Sequence, residues 1–238
     1  MKKVFALIEK ESLKFAQLPL FEFLVNKSID PIQRLVFAVF AIFVMGYGNL
    51  NKFVWLEEPR VNSSLDIFNK QIREEENHWI WVLKNLEDLN FNRLLNFTNY
   101  LKLNFSDQIA IFRQIIHQLY RRTFQVNSIY ELVAIEWIKS ISNIFLSITV
   151  PLAQELKIIS NREYPYFGIP RLLLENDQNV HSNKIKKFIA SMHLAKDIRK
   201  QACELVNKIF ELFTALVDML INFAEEYKML KNIRLNNY

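Results

Sequence analysis

The stretch ACELVNKIFELF, residues 202–213, decides the fold, because Ala202, Leu205, Val206, Ile209, Leu212 and Phe213 recur three and four positions apart. A helix turns once every 3.6 residues, so this spacing gathers the apolar side chains on one packing face. The helix it belongs to is expected to run from about 194 to 230. The same period recurs upstream. Val4, Leu7, Ile8, Leu13 and Phe15 predict a helix over 3–17, ahead of Pro19.

A second helix is expected to start at Pro31, with Asp30 as its cap, because proline fits a first helical position whose N–H is unpaired anyway. It carries the apolar run LVFAVFAIFVMGY, residues 35–47, towards Leu56 and Pro59. That run falls short of the roughly 20 residues that span a bilayer, so it reads as a buried helix and no membrane span is expected. Asn62-Ser63-Ser64 caps a third helix, to about Leu89, and residues 92–101 can form one further short turn. Ser106-Asp107 opens a helix to Phe124. Asn127-Ser128 opens another, which Pro151 should kink or end. Residues 160–192 read as broken, punctuated by Pro165, Gly168 and Pro170.

Only 3 glycines and 6 prolines stand against 51% hydrophobic residues and 20 phenylalanines, too little turn chemistry for a β-rich chain. No repeat, low-complexity tract or linker divides residues 1–238. The expectation is one all-α domain, a compact bundle of about seven helices.

Several function classes have no support. The net charge of +5 is spread along the chain. Its densest run, Lys184, Lys186, Lys187, Lys196, Arg199 and Lys200, with the pair Arg121 and Arg122, lacks the interleaved aromatics of a nucleic-acid face. These charges read as solvated helix faces. Cys203 is the single cysteine, so one chain can form neither a disulfide nor a cysteine-based zinc site, and a reducing, cytoplasmic setting is expected. The opening MKKVFALIEKESLKF is broken by Glu9, Lys10 and Glu11 and has no small-residue cleavage site, so no signal peptide is expected. There is no phosphate-binding glycine loop and no G-x-S-x-G elbow.

Chemistry concentrates in Arg73-Glu74-Glu75-Glu76-Asn77-His78-Trp79. On a helix, Glu74 and Glu75 lie four and three residues before His78, so either carboxylate shares a face with the imidazole. A carboxylate and a histidine three apart form a half-site for a metal held between bundle helices. The bland alternative is a solvated acidic helix. Glu136 stands between Ile135 and Trp137, and either faces inward, where it needs a partner, or outward beside Lys139.

MGYGNLNKF and EEENHWIWVLKNLEDLNF within residues 33–91, together with YFGIPRLLLENDQ at 166–178, resemble the heme-oxygenase-like iron-containing redox enzymes. The resemblance covers about a third of the chain. It implies a heme-oxygenase-like bundle that holds one or two irons and uses dioxygen to oxidise a small organic substrate. Carried over residue by residue, the metal ligands it implies are Glu75 and His78, with Glu74 beside them, then Glu136, then Glu175. The last helix departs from the family pattern, because Arg171 and Gln178 stand where histidines are expected. Arginine cannot ligate a metal, and its fixed charge opposes a nearby cation. It could instead pair with Glu75 or Glu136 and take the iron's place. A shifted register offers Asp177 and His181, and both registers stay open.

The remaining candidates read as structural. His117 reads as a core or surface histidine, His193 as a residue at a helix start, and Cys203 as a small buried hydrophobe. Trp55, Trp79, Trp81 and Trp137 read as packing. Two functions follow: a non-heme iron oxidase or oxygenase with an altered ligand set, or a metal-free bundle that binds a small ligand or a protein partner, with a homodimer compatible with either.

Overall fold

Helix starts and stops in the N-terminal quarter follow local chemistry. Helix α1 (Lys2–Phe15) buries Val4, Ile8, Ser12 and Phe15, one stripe at helical spacing. Helix α2 (Pro19–Val25) begins on a proline and buries Leu20, Phe21, Phe23 and Leu24. Asn26 then closes a local turn by accepting from both the backbone N–H and the hydroxyl of Ser28. Asp30 caps α3 (Pro31–Arg34) as expected, its Oδ1 accepting from the N–H groups of Ile32 at 3.0 Å and Gln33 at 3.2 Å.

The computed structural model describes residues 1–40, 78–91, 102, 106–107, 109–110, 113–114, 117–118, 128–176, 191 and 193–235. Among these residues the chain is all-helical, with no strand. Among the described residues, α3 is followed by a 3-10 helix (Val36–Phe40) and then by α4 (His78–Asp88), α5 (Ser128–Ser160) and α6 (Lys196–Leu235), with a helical segment over 169–176 between the last two. Among the described residues no helix is long and apolar enough to cross a membrane.

One expectation needed correction, and another, that Pro151 kinks or ends its helix, was narrowed. The helix begun at Pro31 does not continue as one α-helix. Leu35 (φ −98°, ψ 9°) leaves the helical region, and Val36–Phe40 coils as a 3-10 helix with all five side chains buried. An amphipathic α-helix hides one stripe, whereas this segment has no solvent face to keep. The tighter three-residue turn presents its side chains to neighbours on every side. Pro151 does not end α5, which runs on to Ser160. Pro151 and Ser147, whose carbonyl loses its intrahelical donor, both lie on the exposed side, while Val150, Leu152, Ala153 and Leu156 are buried and hold the last turns.

The core forms where α1 lies across α5 and α6, and α2, α3 and the 3-10 helix contact the same long pair. Phe15 sits at its centre, edge-on to Phe21 at 5.4 Å and Phe210 at 6.1 Å between ring centroids. Phe40 meets Phe223 of α6 edge-on at 4.8 Å. Such contacts between perpendicular rings add to area burial, because the positive ring edge meets the negative face. Along α6, Ala202, Val206, Ile209, Leu216, Leu220 and Ala224 supply the buried stripe read from the sequence. The hydroxyls of Ser12 and Ser140, 2.5 Å apart, fix α1 against α5.

Arg34 is the polar centre of this region. Its side chain is 3% exposed, and its Nε and Nη1 donate to the carbonyls of Ile29 (3.0 Å) and Leu24 (3.1 Å). Nη2 donates to both carboxylate oxygens of Glu155 on α5 at 2.6 Å. Removing it orphans two carbonyls and a carboxylate at once. Arg34→Ala is expected to cost about 3–5 kcal/mol in urea unfolding. Glu155→Gln should cost less, because Glu155 is 35% exposed and water can replace part of what it provides. Equal, small losses from both would contradict this assignment.

Candidate functional site

Helix α4 is described from His78, and its buried side chains, His78, Val82 and Asn85, recur at i, i+4 and i+7. His78 is 2% exposed, with the Trp81 ring 5.4 Å from its own. The helix ends at Asn90, in the left-handed region at φ 60°, where the short amide side chain is tolerated better than most. Leu89 and Phe91 anchor this end in the core. Trp79, expected to pack, is 41% exposed and shares the outer face with Ile80 and Leu83.

Asn85, fully buried, fastens α4 to the turn after α5. In the amide orientation that satisfies its neighbours, its oxygen accepts from the N–H groups of Tyr166 (3.2 Å) and Phe167 (3.3 Å), and its nitrogen donates to the Trp81 carbonyl at 3.2 Å. Arg162 reinforces the junction from outside, donating to the carbonyl and carboxylate of Asp88. Gly168 is required here for space, since a Cβ would stand 2.7 Å from the Tyr164 carbonyl oxygen. The turn then feeds the 169–176 segment.

That segment carries Arg171 and Glu175 one helical turn apart. Glu175, 5% exposed, accepts from the Ser142 hydroxyl of α5 at 2.8 Å and lies 3.5 Å from Nη2 of Arg171. The Arg171 guanidinium carbon lies 4.4 Å from the centroid of the Tyr166 ring, a cation–π contact. Arg171 therefore pairs with Glu175, a partner not considered from the sequence; Glu75 lies outside the described residues. Glu136 faces inward, 8% exposed, which resolves its open orientation. Trp137 beside it is buried edge-on against Phe213 at 4.3 Å.

Of the residues nominated from the sequence, His78, Glu136, Arg171 and Glu175 are described and lie inside the protein. Glu74, Glu75, Asp177, Gln178 and His181 fall outside the described residues, as does Trp55. His117 and His193 are exposed, and Cys203 is half-buried on α6, packed at the edge of the core. Among the described residues, no group of three or more His, Cys, Asp and Glu side chains could hold a metal ion. As donors, the His78 imidazole and Glu136 carboxylate suit a ferrous ion. Glu175 fits less well, because its Oε1 already accepts from a hydroxyl and a guanidinium stands beside it.

Sequence reasoning missed Asn85, Ser142 and Arg34. Asn85 had a signal, a polar residue seven positions after His78 on the stripe that Val82 makes apolar. Ser142 had none, because its partner is 33 residues away. No protein-family model matches the chain, and no curated protein matches it in sequence.

Two outcomes test this geometry. Asn85→Leu should lower stability by about 1–3 kcal/mol for each backbone N–H it leaves unpaired, read as a drop in the urea midpoint. Arg171→Ala should cost about 3–5 kcal/mol, since it strands a buried carboxylate. Unchanged melting in the second variant would contradict a structural ion pair.

Proposed function

We propose that this chain is a diverged heme-oxygenase-like protein acting as a non-heme iron oxidase or oxygenase on a small organic substrate held inside the helical bundle. The observation that supports this most is the burial of His78 on the inward stripe of α4, with 2% of its surface exposed. The sequence places Glu75 three residues before it, the spacing of a carboxylate–histidine half-site. Glu136, buried on α5, is a second carboxylate of suitable chemistry. Iron, when bound, supplies the redox chemistry that side chains lack. The chain's own part is to hold the imidazole beside Trp81 and to keep water from the reacting centre. Cys203, with no second cysteine in the chain, suits a reducing, cytoplasmic setting.

A second reading is favoured by the Arg171–Glu175 pair, in which a guanidinium stands at a carboxylate that the family resemblance assigns to metal. Under it, the bundle is metal-free and binds a small ligand or a protein partner. One experiment separates the two. Protein purified anaerobically, incubated with ferrous iron and desalted should retain near-stoichiometric iron, and His78→Ala should lose it while keeping its helical circular dichroism. No iron retained by the unmodified protein would overturn the oxidase reading in favour of the second.

A further inference from the structure

We infer that Glu175 is not a metal ligand in this protein: Arg171 and Ser142 hold it in place instead. The inference rests on the oxidase reading for the metal and on the geometry alone for Glu175.

Three observations carry it. First, the charge of Glu175 is already met. Its carboxylate is 5% exposed, and the Ser142 hydroxyl donates to Oε1 at 2.8 Å, with Nη2 of Arg171 3.5 Å from the same oxygen. Both contacts fall on Oε1, so a divalent ion at Glu175 would be left Oε2, beside a guanidinium that cannot lose its proton. Second, the guanidinium is held in place. It lies over the Tyr166 ring, and the Tyr166 backbone is fixed in turn by Asn85 of α4. Third, Ser142, which anchors Glu175, follows Glu136 by six residues on α5, so the two positions lie about 9 Å apart along the axis and on different faces of the helix.

The account makes Arg171 a resident cation, so a charge that a metal could have met at this end of the site is met by the chain itself. Glu175→Gln should retain as much iron per chain as the unmodified protein, with a lower melting temperature, whereas His78→Ala should retain none. Loss of iron in Glu175→Gln with unchanged circular dichroism would overturn the inference. Absence of iron from the unmodified protein would instead sink the oxidase reading. A double-mutant cycle decides the claim about Glu175 even then. Arg171→Leu and Glu175→Gln should be strongly non-additive in urea unfolding, the double variant being no less stable than the worse single one. Additive losses would overturn the pairing.

Discussion

The rest of the structure depends on where the guanidinium of Arg34 is placed. It reaches back to the carbonyls of Leu24 and Ile29 and across to Glu155, so one side chain joins the end of α2, the following turn, α3 and the long helix α5. Apolar packing alone leaves such a junction loosely specified, because phenylalanines tolerate sliding and hydrogen bonds to fixed carbonyls do not. With α3 fixed, Leu35 turns the chain into the 3-10 segment, and Phe37 and Phe40 enter the core against Phe145 and Phe223. The helix α4 that carries His78 packs on this 3-10 segment.

A second polar junction fixes the other side of the site. Asn85 holds two backbone N–H groups of the turn after α5, and that turn positions Tyr166 under Arg171. Arg171 and Ser142 then hold Glu175 against α5. Each of these groups is buried or nearly so, and each would be costly if left alone. The candidate site is therefore framed by polar contacts with assigned partners. That favours a defined geometry over an adaptable, greasy cavity.

Much of the fold was legible in the sequence. The apolar stripe at Ala202, Val206 and Ile209, the Asp30 cap and the scarcity of glycine announced helices, because these are local signals that need no knowledge of the partner helix. The exceptions have physical causes. The 3-10 segment arises where all five side chains are enclosed, and the chain passes Pro151 because neighbouring buried residues hold the helix together. At the site, His78, Glu136 and Glu175, nominated from the sequence, are all buried, although the direction Glu136 faces had been left open. The pairing of Arg171 with Glu175 was not foreseen, because which carboxylate meets a guanidinium is settled by how segments dock. Asn85 and Ser142 went unseen for the same reason, since a buried amide or hydroxyl gains its meaning from residues far along the chain.

What we propose is that a metal, when bound by this chain, would use His78 and not Glu175. Anomalous diffraction from crystals grown anaerobically with ferrous iron, recorded at the iron absorption edge, tests it most directly. The account predicts a peak within bonding distance of the His78 ring, with the Arg171–Glu175 pair intact. A peak coordinated by Glu175, with Arg171 swung away, would contradict it.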